Sequence, residues 1–365
     1  MQKSLHTAYA FSVILSIVFT ILGWALTPFL LKLIDTPADT LADSILYLRI
    51  YFLGIFGTLI FNIGSAIMRS IGDSRRPLYY LIVCCFLNII LDLVLVIVFD
   101  MGIVGAAIAT IISQAVSAIL VTNALMKKYD DCKLYLSKLH IDLLKLRLEF
   151  RIGIPSALQA FMYSITNIII QAAINGFGTD TAAAWASFGK LDALFWTVNG
   201  AFGIAITTFA GQNYGAGKHR RIKDGWKQSM IAASVFCVCV SAVVFIFAEK
   251  FMGLFVSDGT EIIKVGAGYL RIEGSFYIGI GILFLLYGFY RAVGKPEMSL
   301  ILTIISLGTR VVLAYALSAI PKIGVIGIWI SVPIGWFLAD MTGLLYMKKL
   351  PLLKSRFRKK YDLHI

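Results

Sequence analysis

Residues 78–99 read Leu78-Tyr-Tyr-Leu-Ile-Val-Cys-Cys-Phe-Leu-Asn-Ile-Ile-Leu-Asp-Leu-Val-Leu-Val-Ile-Val-Phe99. As a helix this stretch crosses the roughly 30 Å hydrocarbon core of a bilayer. Its last third, Leu93 to Phe99, is apolar at every position, whereas a membrane β-strand alternates an apolar and a polar face. A helix satisfies its own backbone groups in lipid, so a spanning helix is the reading. The polar interruptions within it are Asn88 and Asp92, four residues apart and therefore on one helix face.

Nine further apolar blocks flank this one, near residues 8–34, 44–71, 102–126, 152–176, 182–213, 228–248, 263–292, 297–319 and 324–346. The whole chain of 365 residues is 59% hydrophobic and 15% charged, while a soluble domain is nearer half apolar and a quarter charged. Disorder is excluded by 25 Phe and 16 Tyr. The fold class is an all-α polytopic membrane protein with ten spans.

A net charge of +13 would fit nucleic-acid binding if the basic residues were spread over a polar surface. They fall instead in alternate gaps between the blocks. Lys3, Arg75 and Arg76, seven residues between Lys127 and Arg151, five between Lys218 and Lys227, Lys295 and seven in the tail from Lys348 account for 23 of the 33. The other gaps carry Asp35, Asp39, Asp43, Asp100, Asp180, Asp258 and Glu261. The positive-inside rule makes the basic set cytoplasmic, both termini included. No nucleic-acid partner is expected. The five cysteines contain no CxxC and read as small apolar residues. All four histidines (His6, His140, His219 and His364) lie outside the apolar cores, so neither a metal site nor a membrane-embedded enzyme is expected.

A shift of 222 residues aligns two parts of the chain without a gap. Tyr47-Leu-Arg-Ile50 falls on Tyr269-Leu-Arg-Ile272, Gly57 on Gly279, Arg69 and Gly72 on Arg291 and Gly294, and Gly102 and Gly105 on Gly324 and Gly327. Over residues 47–110 there are 15 identities in 64 positions, several of them Gly or Arg rather than interchangeable aliphatics. The shift contains an even number of spans, so the two copies share one orientation and are related by an axis along the membrane normal. The domain reading is a first lobe over 1–126, a basic linker over 127–150, a second lobe over 151–346 and a basic tail over 347–365. The blocks at 152–176 and 182–213 have no counterpart in the first copy. The expectation is therefore ten spans present of twelve, with two helices missing before Met1.

Asn88-Ile-Ile-Leu-Asp92 followed by Gly102-Ile-Val-Gly-Ala-Ala-Ile-Ala-Thr110 resembles the fifth and sixth helices of the MATE (multidrug and toxic compound extrusion) transporters. Arg69-Ser-Ile-Gly-Asp-Ser-Arg-Arg-Pro77 is similar to that family's connection between helices four and five. Gly211-Gln-Asn-Tyr-Gly-Ala-Gly217 resembles its loop after helix eight, and Gly153-Ile-Pro155 its entry to helix seven. The resemblance covers about residues 2–346. It implies two six-helix lobes around a cleft, with this chain supplying helices three to twelve.

The same resemblance assigns Asn88, Asp92 and Thr110 to a first-lobe network for proton or Na⁺ coupling, whose helix-one Asp would precede Met1. The acidic positions of the NorM-type second-lobe site fall on Tyr163 and Ile280, so a DinF-like rather than NorM-like member is implied. Independently, an ionisable residue inside a span is a functional candidate by default. At the positions equivalent to Asn88 and Asp92 the second copy has Arg310 and Ala314, so lobe symmetry does not require the pair.

For a substrate cleft the candidates are Tyr163, Lys190, Asp192 and Trp196, whose aromatic and acidic groups suit a flat organic cation. Arg49 and Arg271, near the outer ends of matching spans, read as snorkelling structural residues. The expected function is secondary active export of organic cations in exchange for H⁺ or Na⁺, by a monomer in the cell membrane, with no cofactor beyond the coupling ion. Two alternatives stay open: a flippase for a lipid-linked precursor, and an inactive N-terminally truncated fragment.

Overall fold

The structure, a computed structural model, describes residues 2–129, 132–255 and 259–350. Asp258 and the basic tail beyond Leu350 lie outside the described residues. Among the described residues there are twelve α-helices and no strand.

The chain folds into two compact units, Met1–Phe150 and Arg151 onward. The first holds α1 (Gln2–Leu33), α2 (Ala38–Leu53), α3 (Ile55–Ser70), α4 (Arg75–Asp92) and α5 (Gly102–Lys127). After α6 (Leu143–Asn175) the second contains α7 (Thr179–Gly215), α8 (His219–Gly253), α9 (Thr260–Gly274), α10 (Tyr277–Ala292), α11 (Pro296–Ser318) and α12 (Val325–Lys349).

Eight of these helices are long and apolar enough to span a membrane. The pairs α2–α3 and α9–α10 supply two more spans, bent by 41° and 52° respectively. The ten apolar blocks thus correspond to ten spans, but hydropathy gave no sign of the two bends. Several helices also outrun their blocks. The α8 helix starts at His219, well before the apolar stretch from residue 228, because Lys, Arg and Gln are good helix formers that carry the helix into water.

The bends are equivalent under the 222-residue shift, and so are other backbone devices. Gly72 and Gly294 sit at φ 94° and 72°, in the left-handed region that glycine occupies without a Cβ penalty. After each, the next residue's N–H reaches back to close the helix, Asp73 to the Met68 carbonyl at 3.0 Å and Lys295 to the Tyr290 carbonyl at 2.8 Å. Gly102, the first residue of α5, and Gly324, just before α12, adopt φ 52° and 53°. Arg49 Nε donates to the Trp24 carbonyl and lies 4.4 Å over the indole ring, while Arg271 Nε donates to the Phe245 carbonyl and pairs with Glu249 at 3.0 Å. Both arginines are held locally, as their positions near span ends imply.

Helix packing in lipid relies on small residues that let backbones approach. Gly57 on α3 faces the α5 backbone at Gln114 and Ala115. At the matching place Gly279 on α10 faces Trp336 on α12. The core of the second unit is aromatic and dense, with Tyr277, Tyr287, Phe289 and Tyr290 buried on α10. The first has a smaller core around Ile60, Met68, Val121 and Leu125.

Candidate functional site

In the first unit, α4 is lightly packed, with Pro77 its one fully buried residue. Asn88 and Asp92 share a face, as their spacing requires, and both side chains are half-buried. Asn88 Nδ2 and Asp92 Oδ1 are sealed from solvent and make no hydrogen bond. Directly after Asp92 the winding changes to a π-helical segment, Leu93–Val98. Such segments occur frequently at functional sites, because the widened turn re-aims side chains and frees backbone groups. Gly105 makes this possible sterically: a Cβ there would sit 3.0 Å from the Leu95 carbonyl carbon. Thr110, on α5, donates its hydroxyl to the Ala106 carbonyl one turn earlier at 3.0 Å. It is thus engaged within its own helix.

On the basic side of the same unit, Asp73, Arg76 and Tyr129 close a triangle. Tyr129 donates to Asp73 Oδ2 at 2.6 Å, Arg76 Nη1 donates to the same oxygen at 2.7 Å, and Arg76 Nη1 reaches the Tyr129 hydroxyl oxygen at 3.1 Å. Partial burial pushes the Asp73 carboxyl up; the hydrogen bonds from Tyr129 and the Arg76 amide, with the Arg76 charge, outweigh it and hold the carboxyl below its ordinary value.

In the second unit, three of the four cleft candidates come together. Tyr163 on α6 packs edge-on against Trp196 at 5.3 Å, and its hydroxyl lies 3.4 Å from that of Tyr287. Asp192 accepts a hydrogen bond from Tyr277 at 3.3 Å. Lys190 does not join them; it is exposed, with Nζ 5.9 Å from the Phe255 ring. The two-residue spacing of Lys190 and Asp192 already placed them on different faces.

Around Asp192 the fold gathers residues the sequence reading gave no role. Glu273, in the last turn of α9, is 3% exposed and its Oε2 has no partner. Arg310 on α11 is 8% exposed; Nη1 reaches Asn167 at 3.4 Å, the guanidinium lies 5.8 Å from the Trp185 ring, and Nε is unpartnered. Asp192, Glu273 and Arg310 lie within electrostatic reach of one another, two carboxylates against one guanidinium. On α12, Asp340 is 6% exposed with Oδ1 unpartnered. Tyr269 stacks on Trp185 and meets Phe188 at a tilt beside a recess that also touches Ile174, Thr181 and Trp329.

Acidic residues inside apolar blocks were the available signal for Glu273 and Asp340. No group of three His, Cys, Asp or Glu side chains able to hold a metal is gathered among the described residues.

Comparison with known proteins places this arrangement in a family. The family model described as MatE matches residues 1–94 and 155–316. The chain is 28% identical over 348 residues to the probable multidrug resistance protein YpnP of Bacillus subtilis, covering 92% of this chain and 74% of that protein. It is also 28% identical over 369 residues to the probable multidrug resistance protein NorM of Thermotoga maritima, covering 98% and 78%.

Among solved structures, a MOP superfamily transporter from Pyrococcus furiosus, described as having a binding pocket of reverse polarity, superposes with a TM-score of 0.89 at 25% identity, over 97% of this chain and 81% of that one. An outward-facing multidrug resistance MATE family transporter gives 0.88 at 25% identity, over 95% and 78%. The helix order, the ten spans and the family match lead to one assignment: the chain belongs to the MatE family of membrane transporters.

Proposed function

We propose that this protein exports organic cations from the cytoplasm in exchange for H⁺ or Na⁺, with its basic loops on the cytoplasmic side, acting as a monomer in the cell membrane. The observation that carries the coupling role is the Asn88–Asp92 pair, with a buried amide nitrogen and a buried carboxylate oxygen that lack partners at an α-to-π transition. An unpaired carboxylate at membrane depth costs several kcal/mol in hydrocarbon, and binding a proton or a cation relieves that cost. Substrate and ion then compete by preferring different arrangements of the two lobes, and exchange follows from their differential affinities. Multidrug resistance in the names of the relatives supports broad organic substrates. A flippase for a lipid pyrophosphate would call for clustered Arg and Lys at membrane depth, and Arg310 stands among carboxylates and aromatics instead.

A second reading adds an ion site in the second unit at Asp192 and Glu273. Two carboxylates beside one guanidinium leave one negative charge for a proton or Na⁺ to balance, and the free Oε2 of Glu273 favours it. These residues differ from Tyr163 and Ile280, where the resemblance would put a NorM-type site.

The test is ethidium transport in proteoliposomes under an imposed pH or Na⁺ gradient. Asp92→Asn abolishes gradient-driven transport while leaving membrane insertion and ethidium binding intact. Gradient-driven transport at the wild-type rate by this variant rejects the coupling role. Glu273→Gln in the same assay separates the second reading from the first.

A further inference from the structure

His6 lies in the second turn of α1 and is 3% exposed. Its Nδ1 is 2.8 Å from the Gln2 carbonyl oxygen, and its Nε2 is 3.2 Å from the main-chain nitrogen of Tyr135. A carbonyl only accepts and an amide N–H only donates. Nδ1 must therefore carry the proton, and Nε2 must present a bare lone pair. The neutral Nδ1–H tautomer is the one form that makes both bonds.

These bonds fasten the segment 132–142 to α1. The adjacent Thr7 hydroxyl oxygen accepts from the Asp142 N–H at 3.0 Å, and the Leu134 N–H donates to the Leu125 carbonyl of α5 at 3.0 Å. Cys132 and Leu134 are buried by this docking. The imidazole lies nearly parallel to the Tyr135 ring and within about 23° of the His140 ring, with centroids 6.3 and 6.1 Å away.

Protonating His6 would set an Nε2–H against the Tyr135 N–H and break that bond. The surroundings give the cation little in return. Lys3 lies on the same helix, and Lys127 and Lys128 end α5. On the docked segment, Lys133 follows Cys132, Lys138 lies 4.9 Å over the Tyr135 ring, and His140 donates Nδ1–H to the Lys138 carbonyl. Asp142, whose N–H bonds to Thr7 beside His6, has its carboxylate engaged in capping α6 through the Leu144 and Lys145 N–H groups at 3.0 and 3.2 Å. The N-terminal end of α1 also carries the positive end of the helix dipole.

We propose that His6 is a proton-operated catch: the neutral imidazole holds the 132–142 segment on α1, and its protonation releases the segment that leads from the first repeat into the second. Both bonds need the neutral imidazole, and the cation cannot make the one to Tyr135. Histidine is the side chain whose charge changes in the physiological range. On the reading that the basic loops are cytoplasmic and protons are the exchanged ion, the catch senses the compartment into which the transporter delivers protons. An acidified cytoplasm would then free this segment of the first unit.

The experiment is hydrogen–deuterium exchange of the full-length protein in lipid nanodiscs between pH 5.5 and 8, corrected for intrinsic exchange and followed on peptides covering 132–142. Wild-type protection falls with decreasing pH, by about tenfold per pH unit below the transition for one linked proton, while peptides from α3 and α10 keep theirs. His6→Gln, whose amide oxygen accepts from Tyr135 at any pH, gives a flat profile. His6→Arg shows unprotected exchange throughout, and His140→Gln retains the wild-type slope. A flat wild-type profile, or an unchanged slope in His6→Gln, overturns the proposal. Because no transport is measured, its failure is distinct from that of the antiport reading.

Discussion

Gly343 on α12 lies directly against Leu286 on α10: a Cβ at Gly343 would stand 2.7 Å from Leu286 Cδ1. The equivalent place in the first repeat reverses the sizes. Gly64 on α3 receives the side chain of Val121 on α5, which leaves no room for a Cβ. Each helix crossing holds one large and one absent side chain, and the two repeats assign them oppositely. Close packing explains this, because an interior filled to crystal-like density has room for one such group and not two.

Gly343→Val should therefore destabilise the second unit by about 1–3 kcal/mol through overpacking. Thermal unfolding in detergent is the measurement. Combining it with Leu286→Gly reproduces the arrangement of the first repeat and should recover much of the loss.

Gly294→Ala should cost on the order of 1 kcal/mol, because φ 72° brings an added Cβ close to the backbone. Gly72→Ala, at φ 94°, should behave alike. Space is not the issue at Gly294, since nothing lies within 4 Å of an added Cβ there. A shift in midpoint without a change in transport at low temperature is the expected pattern.

Tyr129→Phe removes the hydrogen bond to Asp73 and should lower stability at neutral pH modestly, by about 1 kcal/mol or less given the solvent exposure of the triangle. The pH dependence has a definite sign. The Asp73 carboxyl is held below its ordinary value, so the stabilisation is full above the ordinary carboxylate range and is lost as pH falls through the depressed value. The difference between Tyr129→Phe and wild type in chemical denaturation should accordingly shrink on acidification.

Arg310→Met should test whether the second-unit carboxylates depend on their one guanidinium. It removes the buried guanidinium within electrostatic reach of Asp192 and Glu273 and should lower the folded yield and the midpoint. Adding Glu273→Gln should restore folded yield. Yield and midpoint measured by fluorescence-detected gel filtration distinguish the single from the double variant.

Much of the fold was legible because lipid is a severe solvent. Ten blocks without polar relief had to become helices, and the matched Gly and Arg positions had to mean duplication. The Asn88–Asp92 pair was legible for the same reason, as a polar interruption of residues 78–99. The π-helical segment after Asp92 was not, since Leu, Val and Ile carry no local mark of a changed winding. Nor did hydropathy reveal the bends at Gly54 and near Ser275, where a span is interrupted without losing its apolar composition.

The sequence by itself determined the solvent, the number of spans, the repeat and its shared orientation, because each depends on composition and periodicity along the chain. Tertiary structure alone decided that Asp192, Glu273 and Arg310 come within electrostatic reach of one another, that Lys190 stays apart, and that His6 must be neutral to hold Tyr135. Those facts depend on which groups face each other across helices far apart in the sequence. A buried polar atom has its energy set by such a partner, or by the lack of one, and a linear pattern does not contain it.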